Sequence, residues 1–340
     1  MLIGINNYPG DLRLSGCVED IHCLKNAIER HGNGEKNFGV RMLENVQTSD
    51  KVMEGIAELF HDDADVALLY FSGHGYINTT GAEIVTPYEV THSGTYYKGA
   101  QMKDIMELVH KSKAKNKIII LDCCHSGQMG KFNITETGSV LDEGVSILTA
   151  CREDESACEA GGHGLFTELL CSALQGGAAD FNGNITMGSI YAYIDRSFGE
   201  WEQRPVFKTN VSAFVSLKKV EPKVPLNVFR ELPNLFSTAD EIHKLDPSYE
   251  FTNSPEEQHK LVEPFAKPEN VKKFKLLQQL QSIGLVEPVD APFMYFAAMN
   301  GKGCKLTALG KHYWRLVINN NILKSATIIQ YTIKGRFMSR

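Results

Sequence analysis

The chain has 340 residues, more than one domain of average size, with 43% hydrophobic and 22% charged residues, the balance of a soluble globular protein. Nothing approaches the run of about 18 apolar residues needed to cross a bilayer, and eight cysteines without a C-x-x-C pair or a His/Cys cluster argue against zinc and for reduced thiols in the cytoplasm. The net charge of −6 hides an asymmetry: Glu256 to Arg340 carries 13 Lys and Arg against 6 Asp and Glu, and the rest carries 22 against 35, so the two parts are expected to meet different partners, or each other.

In chain order, the first two-thirds alternates strand and helix. Leu2–Asn6 reads as a strand rather than a secretory leader. "GCVEDIHCLKNAIERHG" reads as a helix with Ile21, Leu24, Ala27 and Ile28 on one face. Val40–Leu43 is a short strand. Ser49 or Asp50 is expected to cap a helix through Phe60 with Val52, Ile56 and Leu59 inward. Val66–Phe71 and Lys117–Leu121 are continuous apolar strands separated by a helix in "GAQMKDIMELVHKS", and Val145–Ala150 is another strand. Helices in "GLFTELLCSALQGG" and "TMGSIYAYIDRSF" and strands in "PVFKTN" and "AFVSLK" close the pattern. Strands apolar on both faces that alternate with helices imply a mostly parallel sheet covered on both sides.

From Val220 the composition turns to prolines and mixed charge as far as about Lys267, which reads as a linker, so the expected division is 1–219, a bridge over 220–266, and a small α+β unit over 267–340. In that unit "PENVKKFKLLQQLQSIGLV" reads as a helix with Val271, Phe274, Leu277, Leu280 and Ile283 inward and Gly284 as its stop. "FMYFAAMNGKGCKLT" reads as a hairpin turning at Asn300–Gly301, and "ALGKHYWRLVINN" returns to helix. The resulting order is similar to a winged helix. Such a module often binds DNA, and here the helix before the hairpin offers Lys272, Lys273 and Lys275 to nucleic acid or to an anionic nucleotide.

The chemistry lies at the ends of the two most apolar strands. One runs into "YFSGHGY" and the other into "LDCCHSG", which puts His74 and Cys124 fifty positions apart, each after a buried strand. Ligand sites of parallel sheets lie beyond the carboxyl ends of adjacent strands. A thiol needs a neighbouring base to become a nucleophile, and the same imidazole then protonates the leaving amine. Spacing alone does not choose between Cys123 and Cys124.

These two motifs resemble the active-site motifs of caspase-like peptidases, and the Asp-x-Cys-His-Ser-Gly form is similar to metacaspases and bacterial caspase homologues. "GINNYPG", "LSGCVEDI", "GLFTELL" and "QRPVFKTN" support the likeness over about Leu2 to Leu217. The resemblance implies a cysteine endopeptidase with His74 as general base, Cys124 as nucleophile, and the N–H groups of Gly75 and Cys124 as oxyanion hole. Cys123 becomes a packing residue. By the same carry-over, Asp122 with Cys17, Asp20 and Ser72 forms a pocket for the residue before the cleaved bond. Carboxylates there imply Arg or Lys, since a guanidinium can bind one of them bidentately.

Calcium-dependent metacaspases use further aspartates, which "IVTPYEVTHSG" does not supply, so no cofactor is expected. Self-processing would fall in loops such as those around Lys131 and Arg152. Bacterial relatives with added domains serve in anti-phage defence, some under nucleotide messengers, and the resemblance extends that role here. The competing reading is a DNA- or nucleotide-binding regulatory protein whose caspase-like fold is mainly a scaffold.

Overall fold

The computed structural model describes residues 1–78, 81–90, 99–123, 141–150, 159–160, 163–198, 204–254 and 261–319. The chain divides into two compact units, Met1–Glu221 and Pro222–Arg340.

The first unit is built on a six-stranded sheet of β1 (Leu2–Gly4), β2 (Met42–Glu44), β3 (Val66–Ser72), β7 (Asn116–Asp122), β8 (Val145–Thr149) and β12 (Val206–Asn210), in the order β12-β8-β7-β3-β1-β2. All pairings are parallel except that of β12 with β8. Helices α1 (Cys17–Ile28), α2 (Ser49–His61), α3 (Met102–Lys111), α4 (Leu165–Ser172) and α5 (Met187–Ser197) cover it. β3 and β7 are central and almost wholly buried, which is why they lack a polar alternation. The side-chain period of two still sorts them. Leu69, Phe71, Ile119 and Leu121 join the core with α2 and α3, while Leu68, Tyr70, Ile118 and Ile120 join the core with α1, α4 and α5.

Most boundaries follow the sequence reading. The cap of α2 differs: the N-cap position is Thr48, and the N–H of Ser49 donates to Glu89 Oε1 at 2.9 Å, so a carboxylate from another loop satisfies the helix end. A small antiparallel sheet of β4 (Gly75–Asn78), β5 (Gly81–Ile84) and β6 (Ala100–Gln101) follows β3, and two short antiparallel pairs, β9 (Glu159–Ala160) with β10 (His163–Gly164) and β11 (Asn184–Thr186) with β13 (Ser216–Lys219), lie apart from the main sheet. The short strands β4 and β5 carry no alternating pattern long enough to read.

The second unit has a three-stranded antiparallel sheet in the order β14 (Ile242–Lys244), β16 (Gly303–Leu306), β15 (Val286–Val289), with helices α6 (Leu226–Arg230), α7 (Leu232–Leu235), α8 (Pro268–Ser282), α9 (Met294–Met299) and α10 (Ala308–Ile318). Within 222–254, Val228, Phe229, Leu232, Leu235, Phe236, Leu245 and Tyr249 are buried. One expectation is corrected. The strand expected before Asn300–Gly301 is α9. Its Met294, Ala297 and Ala298 bury at helical spacing, and that periodicity overrides the β preference of its aromatics. The turn itself stands where expected, with Gly301 at φ +62°.

Candidate active site

β3 and β7 run in register, with Phe71 opposite Leu121 and Ser72 opposite Asp122. Their carboxyl ends are therefore side by side, and the N–H of Gly73 reaches the Asp122 carbonyl at 3.4 Å. A side chain at residue 73 would run into the Tyr8 hydroxyl and the Phe71 ring, both 2.8 Å from a Cβ built there, so only glycine carries the chain past this point.

His74 comes next and is half-buried. Its backbone N–H donates to the Tyr8 hydroxyl at 3.0 Å, and the Tyr8 hydroxyl donates to the Val85 carbonyl at 3.0 Å. The Tyr8 and His74 rings meet edge-on at 4.5 Å between centroids. Burial keeps the Tyr8 phenol far above its ordinary pKa, so it stays a neutral two-way bridge. The His74 ring is held at Nε2, 2.7 Å from the Leu12 carbonyl oxygen. A carbonyl can only accept, so Nε2 carries the proton and Nδ1 is left as the basic nitrogen. Gly75 opens β4 opposite Ile84.

On the face shared with α1 and α4, the strand ends are polar. Asp20 and Asp122 are 2% and 7% exposed, and Ser72 is equally buried. Ser72 Oγ donates to Asp20 Oδ2 at 3.0 Å. Thr167 Oγ1 donates to Asp122 Oδ2 at 2.6 Å, and the Tyr70 hydroxyl lies 2.5 Å from Thr167 Oγ1. Burial first, and then the nearby Asp122 and Asp20 carboxylates, push the Tyr70 phenol well above its ordinary pKa.

α1 is brought into place by the segment before it. A Cβ on Gly4 would sit 2.3 Å from the Cys17 carbonyl oxygen, so β1 and α1 touch through backbone. The Cys17 N–H donates to Asn6 Oδ1 at 2.9 Å, and Asn45 Oδ1 accepts from the N–H groups of Asn6 and Asn7 at 2.8 and 3.0 Å. Cys17 itself is buried at the start of α1.

The structure thus gathers Cys17, Asp20, Ser72 and Asp122 at the strand ends that lead to His74. Cys124 lies outside the described residues, as do the loops around Lys131 and Arg152. Cys123 is 2% exposed and packs in the α2/α3 core. Lys272, Lys273 and Lys275 are exposed on α8 in the other unit. Sequence reasoning missed Tyr8, the Leu12 carbonyl, Tyr70 and Thr167. Thr167 was in plain view within "GLFTELL", but nothing in its spacing points at Asp122. Among the described residues no group of three or more His, Cys, Asp or Glu side chains is placed to hold a metal ion, and no helix is long and apolar enough to cross a membrane.

A mostly parallel α/β sheet with this histidine and these strand ends defines a caspase-type domain. The family model for the caspase domain matches residues 1–216, and the chain belongs to that family. It is 28% identical over 184 residues to Metacaspase-7 of Arabidopsis thaliana, a match covering 50% of this chain and 45% of that protein. Among solved structures it is similar to protein GSU0716 from Geobacter sulfurreducens, with a TM-score of 0.46 and 18% identity over 65% of this chain and 96% of that one. Caspase-1 from Spodoptera frugiperda gives a TM-score of 0.45 and 17% identity over 65% and 90%.

Proposed function

We propose that the first unit is a cysteine endopeptidase that cleaves proteins after Arg or Lys. The observation that carries this is the pairing of an anchored histidine with two buried carboxylates at the same strand ends. His74 Nδ1 takes the proton of the Cys124 thiol, and the thiolate attacks the carbonyl carbon of the scissile bond. The oxyanion develops toward the N–H groups of Gly75 and Cys124. The imidazolium then gives its proton to the departing amine, leaving a thioester. A water that loses its proton to the same nitrogen hydrolyses it and restores the thiol. The burial of Cys123 supports Cys124 as the nucleophile, since a thiol sunk in the α2/α3 core cannot meet a substrate carbonyl.

Asp20 and Asp122 set specificity in this reading. Two carboxylates close together in a buried setting favour a cation, and a charge-assisted bond to one is worth roughly 1.5–3 kcal/mol. Reporter peptides differing only before the cleaved bond test it. Arg is expected to be cut best, Lys less well and Asp not at all, and efficient cleavage after Asp would refute the pocket.

The second unit supports a regulatory role. It carries 16 Lys and Arg against 11 Asp and Glu, while the first unit carries 19 against 30. Lys272, Lys273 and Lys275 are exposed on one helix. In this reading an anionic nucleotide, or secondarily nucleic acid, binds there and releases peptidase activity in the cytoplasm, as an effector of antiviral defence. Such a ligand must bind the active state better than the resting one. Titration of the full chain with cyclic dinucleotides, ATP and duplex DNA, followed with an Arg reporter, tests it. The scaffold-only alternative, a DNA- or nucleotide-binding regulatory protein, requires binding of DNA or a nucleotide with no turnover of any reporter.

A further inference from the structure

We infer that Thr167 and Tyr70 are positioning residues that orient Asp122 for a guanidinium and so set the preference for Arg over Lys. This rests on the Arg/Lys reading above and adds residues to it that the active-site motifs do not contain.

The hydrogen bonds have a fixed direction. A carboxylate has no proton to offer, so the 2.6 Å contact is a donation from Thr167 Oγ1 to Asp122 Oδ2. That uses the only proton of the threonine hydroxyl. The 2.5 Å contact must then be a donation from the Tyr70 hydroxyl to Thr167 Oγ1. Tyr70 keeps its proton, first through burial and then through the nearby carboxylates, so it has one to give. Tyr70 is fully buried, Thr167 is 1% exposed and Asp122 is 7% exposed, so water does not readily replace either link.

The arrangement is not the ordinary fate of such a threonine. In a helix, a buried threonine commonly returns its proton to a carbonyl of the preceding turn. Thr167, in the first turn of α4, spends it on a carboxylate that ends a strand 45 residues earlier. Tyr70 is likewise two positions before Ser72 on β3, opposite Ile120 and diagonal to Asp122. The chain therefore ties the pocket carboxylate to both the neighbouring strand and the covering helix.

The consequence differs between the two basic side chains. A guanidinium bound bidentately demands a carboxylate plane at a set angle, whereas an ammonium is a point charge that tolerates tilt. Loosening Asp122 should penalise Arg more than Lys.

The test uses full-length protein, assayed with and without the anionic additions named above, on matched Arg and Lys reporters. Thr167→Val keeps the shape and removes the hydroxyl. It is expected to raise KM for Arg by ~10–100-fold, the range of one charge-assisted bond, to change kcat by less than about threefold, and to narrow the Arg/Lys ratio. Tyr70→Phe, which leaves the Thr167 donation intact, should act the same way but more weakly. Thr167→Ser should restore KM and the ratio. Thermal melting and the rate of Cys124 alkylation by iodoacetamide report whether the fold and the nucleophile persist in each variant. Thr167→Val with an unchanged Arg KM and Arg/Lys ratio overturns this inference and leaves the basic pocket standing. Failure of Thr167→Ser to restore them, with melting and alkylation normal, overturns it too. A wild-type protein that cleaves other reporters but neither Arg nor Lys overturns the pocket and this inference together.

Discussion

β3 and β7 present two faces made by alternate residues of the same strands, and the faces end differently. The α2/α3 face stays apolar to its last position: Leu69, Phe71, Ile119, Leu121, then Cys123. The α1/α4 face changes abruptly from Leu68, Ile118 and Ile120 to Tyr70, Ser72 and Asp122, joined by Asp20 and Thr167. One face is a core and the other becomes a site within one strand residue. The difference teaches that function here depends on parity: shifting the register by one residue would bury the Asp122 carboxylate among isoleucines and turn apolar side chains toward the pocket.

Substitutions can break or sharpen that contrast. The largest effect belongs to the dyad. His74→Ala and Cys124→Ala should each lower kcat/KM by a factor of about 10³ or more, because nucleophile and base act as a unit, whereas Cys123→Ala should keep most activity on an Arg reporter. The opposite result for the two cysteines would show the register of the motif to be wrong. Next in size, Phe71→Ala on the apolar face should cost about 3–5 kcal/mol of stability in a denaturant titration, with little change in KM for the fraction that stays folded. Asp122→Asn on the polar face should do the reverse. It is expected to lose about 2–3 kcal/mol of transition-state binding with Arg substrates and to shift the denaturation midpoint less than Phe71→Ala does.

A smaller test concerns thiol chemistry across the two units. Burial pushes the Cys304 thiol up to about 12 and holds Cys171 far above its ordinary value. A raised thiol pKa means the neutral form persists as pH climbs, so at pH 8 the Cys304 thiolate fraction is ~10⁻⁴. Mass spectrometry after iodoacetamide at pH 8 should find Cys304 unmodified in the native protein and modified after unfolding. The smallest stability effect is expected from the Lys272, Lys273 and Lys275 triple charge reversal, about 0.5 kcal/mol or less per site. Its signature is instead weaker activation by anionic ligands.

Legibility followed the same division. The apolar strands announced themselves by composition, and His74 was legible because it follows one of them directly in the chain. Ser72, Asp122 and Asp20 needed the family motif, since a carboxylate near the start of a helix, for one, reads equally well as a solvated or capping residue. The Tyr70–Thr167 chain was illegible because its ends are 97 residues apart and no periodicity encodes a tertiary hydrogen bond. In the second unit, the prolines of 222–254 masked buried side chains such as Phe229 and Phe236. The aromatics of "FMYFAAM" suggested strand where spacing of burial made a helix.

The group that grips the histidine is a main-chain oxygen. Leu12 supplies it whatever side chain stands at that position, so a scan of every substitution at residue 12 would leave the acceptor chemically present each time. The vulnerability is inherited instead by the turn that aims it. Gly10, at the start of the single turn Gly10–Leu12, has φ +60° and open space around it. Replacing it with an L-residue meets no clash, only a backbone penalty of roughly 1 kcal/mol. The hereditary record of this contact would therefore be written two residues upstream of the atom that makes it, in the glycine that opens the turn.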